Sequence, residues 1–164
     1  MTAGSADRED HNTSPSRGAV LFGMTHDEVI EFNDRVVADF RAHDGVMPDG
    51  HVFHGNPTLL MTSVGARSGR RITTPLTYTP DGDAFIVFAS AGGSPTAPAW
   101  AFNLRANPDV ELEVLGEAFS ARAVESAGDE RQRLFDLMVA NLPRFGDYQD
   151  AVERTIPVFR IERT

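Results

Sequence analysis

Between residues 58 and 125, turn-forming residues cut the chain every few positions, and the pieces between the cuts have strand character. TLLMTSV at 58–64 is apolar and lies between Pro57 and Gly65. ITTPLTYT at 72–79 is rich in β-branched residues, and its internal Pro75 points to an edge strand or a bulge. Pro80-Asp81-Gly82 is a turn, so this strand is expected to form a hairpin with AFIVFAS at 84–90. VELEVLG followed by EAFSARAVES reads as a second hairpin turning near Gly116-Glu117. Within it Val110, Leu112 and Val114 alternate with Glu111 and Glu113, the period of a half-buried strand. IPVFRIER supplies a last strand near the C-terminus. Strands joined by hairpins favour a small antiparallel sheet or barrel over a parallel α/β sheet, so the fold class is mainly β, of α+β type.

Helical spacing marks the flanks. Thr25 with Glu28 three residues on forms a capping box, and Val29, Phe32, Val36, Val37 and Phe40 then recur on one face until Gly45 and Pro48 end the helix. A short helix, AWAFNLRAN, fits 99–107 before Pro108, and residues 128–140 form an amphipathic helix carrying Leu134, Leu137, Met138 and Ala140. Residues 43–57 read as a loop, as does the stretch holding Pro143, Phe145 and Tyr148. Residues 1–24 are polar and aperiodic, the composition of a disordered N-terminal tail, which leaves 25–164 as one domain.

Composition narrows the chemistry. The chain has no cysteine, and all 15 of its basic side chains are arginine. That excludes disulfides, thiol catalysis, iron–sulfur clusters, Schiff-base lysines and a Walker-type phosphate lysine. A net charge of −9 disfavours nucleic acid and anionic membranes as partners. No apolar run is long enough to span a bilayer, and the N-terminus lacks the apolar core of a signal peptide, so a cytoplasmic location without membrane insertion is expected.

Two segments stand out chemically. In VGARSGRR at 64–71, three arginines fall within five residues, and Gly65 and Gly69 allow a tight turn that brings N–H groups towards a ligand. This is either an anion-binding loop or a solvated basic hairpin tip. In FASAGGSPTAPAWAFNLRANP at 88–108, Ser90 ends a strand, Gly92-Gly93 opens a loop, and Trp100 begins a helix with Asn103 three residues on. Trp100 serves there as a pocket residue or as a core anchor. His51 and His54 with Asp44 and Asp49 lack a further partner at a recognised metal-site spacing, so no metal is assigned. No GxSxG sequence supports a serine hydrolase.

Taken in order, LLMTSVGARSG, TTPLTY, DGDAFIVFASAGG, PAWAFNLRANP, GDERQRLFDLM, FGDYQ and TIPVFRIE resemble the deazaflavin-dependent nitroreductase family over residues 28–162. The resemblance implies an FMN-binding-like split β-barrel with packed helices. It implies an oxidoreductase that moves a hydride from reduced coenzyme F-420, an 8-hydroxy-5-deazaflavin, to a small electron-poor acceptor such as an activated alkene, quinone or nitro compound. It places Arg67 and Ser68 on the anionic tail of the coenzyme, with Arg71 as a further cation. It sets Thr73, Thr74, Pro75 and Leu76 under the ring, and completes the pocket with Ala89, Ser90, Ala91, Ala99, Trp100 and Asn103. Phe145 and Tyr148 would face the substrate, and Tyr148 is a candidate proton donor beside Tyr78. Ala66, Ile72 and Ala91 stand where the family commonly carries a basic residue. The remaining pocket wall is expected from the N-terminal helix and the 43–57 loop. Two alternatives stay open: a split-barrel oxidoreductase using FMN or FAD, and a barrel that binds or isomerises a small apolar ligand without the coenzyme. The partners implied are a small-molecule substrate and either none or a second copy of the chain, as monomer or homodimer.

Overall fold

The computed structural model describes residues 24–164, so all of the expected tail at 1–24 except Met24 lies outside the described residues. The first helix, α1 (His26–Ala42), opens on the capping box: Thr25 Oγ1 accepts from the Glu28 N–H at 3.2 Å, and Glu28 Oε1 accepts from the Thr25 N–H at 3.0 Å. The helix ends where Gly45, at φ +85°, returns its N–H to the Phe40 carbonyl. A side chain at Gly45 would also meet the Leu115 backbone at 2.9 Å, so only glycine fits this close approach.

Seven strands follow: β1 (Thr58–Val64), β2 (Arg71–Thr77), β3 (Thr79–Asp81), β4 (Ala84–Phe88), β5 (Asp109–Val114), β6 (Glu117–Glu125) and β7 (Val158–Arg163). Three further helices are interleaved: α2 (Ala99–Ala106), α3 (Gly128–Asn141) and α4 (Arg144–Asp150). All pairings are antiparallel, in the order β2-β1-β5-β6-β7-β4-β3. The two edge strands, β2 and β3, are separated in the chain by Tyr78 alone. Two successive peptide units span at most about 7 Å, so the sheet must curl until its edges meet at Tyr78. This is a split barrel, as expected, and Pro75 lies on an edge strand.

The expected hairpin is corrected by this closure. Residues 72–79 do not form one strand paired with 84–90: β2 pairs with β1, and only Thr79–Asp81 pairs with β4. The Tyr78 N–H bonds the Pro57 carbonyl at 3.0 Å, just beyond the Thr58–Thr77 pair, and the chain then crosses to the opposite edge. The loop expected around Phe145 is also corrected, because Arg144–Asp150 is helical. Gly146 and Asp147 are poor helix formers, but Phe145 is buried edge-on against Phe88 at 5.5 Å, and packing overrides propensity.

Three apolar clusters hold the elements. Leu59, Met61, Leu76, Val87, Leu112 and Phe159 fill the barrel interior. Leu134 and Met138 of α3, Phe145 of α4 and Ile156 cover Ile86 and Phe88. Val36 and Phe40 seat α1 on Leu60. Burying each such side chain contributes roughly 1.5–3 kcal/mol. No helix among the described residues is long and apolar enough to cross a membrane.

Candidate active site

The brevity of β3 creates the site. Its pairing with β4 stops at Thr79–Ile86, so Val87 and Phe88 have no strand neighbour on that side. The outer edge of β2 is likewise unpaired. A cavity of about 910 Å³ lies between these two open edges.

Register divides β2 between two faces. Ile72, Thr74 and Leu76 oppose Ser63, Met61 and Leu59 and share the barrel-interior face, whereas Arg71, Thr73 and Pro75 share the face towards α1. The cavity wraps this edge and takes Arg71, Thr73, Thr74 and Leu76 from it. Ser90 and Ala91 form the wall where β4 ends, and Ala99, Trp100 and Asn103 come from the start of α2. Phe145 and Tyr148 of α4 close one side, and Ser68 reaches the cavity from the glycine loop. Phe145 packs edge-on against Tyr148 at 5.3 Å. Trp100 is both wall and anchor: it lines the cavity yet is 7% exposed and packs on Phe159.

Four candidate residues lie outside the lining, Tyr78 being half-buried against Phe85 beside the barrel-interior cluster. Ala89 is fully buried in the barrel interior, Pro75 is buried opposite Leu60, and Arg67 sits on the exposed part of its loop. The 43–57 loop contributes no lining residue either. The remaining wall is α1, through His26, Val29, Ile30, Asn33 and Val37. These recur at helical spacing beside the buried Val36–Phe40 stripe, so a second apolar face on α1 was the available signal. The Oδ1 atom of Asn33 is buried without a hydrogen-bond partner among the described residues.

The glycine loop is a clasp with most of its amides already used. The Gly65 N–H bonds the Arg70 carbonyl at 2.8 Å, and the Gly69 N–H bonds the Gly65 carbonyl at 3.0 Å. The Arg70 N–H bonds Ser68 Oγ at 3.1 Å, and the Ala66 N–H bonds Asn103 Oδ1 at 2.9 Å. Among the described residues, only the Arg67 and Ser68 N–H groups in this loop have no protein partner. A Cβ on Gly65 would meet Ser68 Oγ at 2.5 Å and displace the hydroxyl that receives the Arg70 N–H. Asn103 thus anchors α2 to the loop.

Side chains therefore carry the positive charge of the site. Arg41 is committed to Glu113 by two hydrogen bonds, which hold its pKa above the usual guanidinium value. Arg71 faces Glu111 at 3.5 Å, and Arg144 bonds Asn56 Oδ1 and lies over the Phe145 ring. Arg70 lines the cavity and has no ion-pair partner among the described residues. Sequence reasoning singled out the arginine cluster but favoured Arg67 and Arg71 over Arg70, because strand register alone does not show which loop side chain turns inward.

The histidine pairs do not converge. His51 Nε2 meets Asp39 Oδ2 and His54 Nε2 meets Asp49 Oδ1, each at 3.2 Å. His51 Nδ1 accepts from the Phe53 N–H, and His54 Nδ1 donates to the Met47 carbonyl.

Comparison with known proteins places these features in context. The model of the F420H(2)-dependent quinone reductase family matches residues 33–163. An F420H(2)-dependent quinone reductase of Mycobacterium tuberculosis is 37% identical over 132 residues, covering 75% of this chain and 89% of that protein. A solved structure of an F420-H2 dependent reductase is 36% identical with TM-score 0.61, covering 65% of this chain and 94% of that one. Another, described as a domain-swapped dimer, is 34% identical with TM-score 0.62, covering 83% of this chain and 98% of that one.

Proposed function

The chain belongs to the F420H(2)-dependent quinone reductase family and is an oxidoreductase that uses coenzyme F-420, and from that premise we propose that the groove between the open sheet edges holds the coenzyme and a quinone-like acceptor together. The observation that carries this reading is the pairing of an uncommitted cation, Arg70, with a slot lined by Thr73, Thr74, Leu76 and Trp100. The slot fits a flat ring with polar edges, and the cation fits an anionic tail. When bound there, reduced coenzyme F-420 would supply hydride-transfer chemistry toward the acceptor.

The residues do the rest. Arg70, Arg67 and the free Arg67 and Ser68 N–H groups hold the anionic tail, while Arg71 contributes more weakly because Glu111 shares its charge. Thr73, whose Oγ1 also shares a hydrogen bond with Thr62 Oγ1 at 2.8 Å, and Thr74 would offer hydroxyls to the ring, and Leu76 and Trp100 would exclude water from it. Ser90, Ala91 and Ala99 shape the far wall. Asn103 acts on the tail through the loop it anchors, and Pro75 and Ala89 act as supports behind the lining. Phe88 and Phe145 shield the acceptor, Asn33 Oδ1 accepts a hydrogen bond from the bound molecules, and the Tyr148 hydroxyl donates the proton that completes reduction. The acceptor is a small molecule, the protein works in the cytoplasm, and it assembles as a monomer or a homodimer.

The test is a titration of the purified protein with coenzyme F-420, FMN and FAD, read by Trp100 fluorescence. Quenching by the deazaflavin is expected, and Arg70→Ala weakens it by about 10-fold through loss of a charge-assisted contact. Quenching by FMN or FAD alone, or an Arg70→Ala affinity equal to wild type, refutes the assignment.

A further inference from the structure

Residues 89–96 leave the barrel through an uncommon backbone path. Ala91, Gly92 and Gly93 have φ of +48°, +67° and +89°. The Gly93 N–H bonds the Ser90 carbonyl and the Ser94 N–H bonds the Ala91 carbonyl, giving two overlapping turns. A non-glycine residue in the left-handed region is strained and persists only where its surroundings enforce it. One side chain supplies the side-chain hydrogen bonds that gather this loop's carbonyls. Arg154 donates from Nη2 to the carbonyls of Ala89, Ser90 and Thr96 at 3.2, 3.1 and 3.3 Å, and from Nε to the Ser94 carbonyl at 3.1 Å.

Arg154 has no carboxylate partner among the described residues, unlike the arginines paired across the outer surface. Its Nε and Nη2 are committed to backbone oxygens, and its Nη1 is buried without a partner among the described residues. The Arg154 carbonyl in turn accepts from Gln149 Nε2 at 2.8 Å, and Gln149 Oε1 accepts from the Ile156 N–H at 3.0 Å. Gln149 belongs to α4, which also carries Phe145 and Tyr148. A Cβ on Gly93 would lie 3.7 Å from both Tyr148 and Ala151, so loop and helix are already in near contact.

We propose that Arg154 is a positioning residue: it locks the 89–96 loop to α4, so that the coenzyme wall at Ser90–Ala91 and the acceptor wall at Phe145–Tyr148 are held as one rigid unit. This deepens the deazaflavin reading of the groove and rests on it for the identity of the ligands. Three N–H groups on two nitrogens, Nε and Nη2, serve the four carbonyls, one of them shared, and the guanidinium plane sets those nitrogens apart; an ammonium has to offer its three hydrogens from a single point.

The experiment compares wild type, Arg154→Lys and Arg154→Ala by amide hydrogen exchange without ligand and by coenzyme F-420 affinity. Exchange in 90–96 is expected to quicken by at least 10-fold in both variants while β5 and β6 keep their protection. The dissociation constant is expected to rise about 10-fold in Arg154→Lys and further in Arg154→Ala. Arg154→Lys retains the charge and part of the bonding, so it reports even if Arg154→Ala does not fold. Unchanged exchange in 90–96, or exchange quickened equally across β5 and β6, overturns the proposal. Failure of the wild type to bind the coenzyme overturns the groove assignment and the wall roles built on it, while the ligand-free exchange still decides whether Arg154 locks the loop.

Discussion

Replacing Asn103 with alanine separates two roles that its sequence position left merged, contact with a ligand and support of the loop that makes the contact. The side chain is 7% exposed, and its Oδ1 accepts the Ala66 N–H at 2.9 Å, bridging α2 to the turn after β1. Removing a partner from a fully buried donor costs about 1–3 kcal/mol. Ala66 itself is exposed, so water can replace part of the bond, and the expected loss is about 1–2 kcal/mol. For a chain of this length that corresponds to a Tm lowered by about 2–8 °C. The Gly65–Arg70 and Gly69–Gly65 hydrogen bonds remain, so the loop loosens at its α2 side and does not unfold. Coenzyme binding must then restore that order, and its affinity is expected to fall about 5- to 30-fold, the factor equivalent to 1–2 kcal/mol. Differential scanning calorimetry and fluorescence titration read the two effects. A Tm and an affinity both equal to wild type would refute the clasp, and a lost affinity at unchanged Tm would return Asn103 to direct ligand contact.

Asp81, in three-residue β3, receives Arg133 of α3 and Arg160 of β7, and these guanidiniums hold its carboxyl at about 2 against the usual 3.8. The pair energy is present above pH 3.8 and is lost as pH falls through 2. With the side chain 22% exposed, Asp81→Asn should cost about 1–2 kcal/mol at pH 7 and flatten acid unfolding over that window; an unaltered profile would show that barrel closure does not need the carboxylate. Tyr148→Phe should slow single-turnover reduction by about 100-fold or more while sparing coenzyme affinity, and a wild-type rate would remove Tyr148 from proton donation.

The strands and their faces were written in the sequence. Glu111 and Glu113 alternating with Val110, Leu112 and Val114 fixed an outer and an inner face for β5, and Thr25 with Glu28 fixed the start of α1, because both patterns act within a few residues. Most of the residues named from the sequence do line the cavity, since the glycine loop, the β2 segment and the start of α2 are local motifs in a recognisable order, but the larger part of the lining was not named. Tertiary structure decided what depends on distant partners. Whether residues 72–79 form one strand or two turned on where the two sheet edges meet at Tyr78. Whether 144–150 is helix turned on Phe88 receiving Phe145. Which arginine of the cavity wall lacks a counter-charge turned on acid partners 40 to 72 positions away, since Glu111 engages Arg71 and Glu113 engages Arg41, while Arg70 has no ion-pair partner among the described residues. Local sequence sets the backbone's preferences, but the commitment of a charge is settled only when the folded chain has brought its counter-charge near.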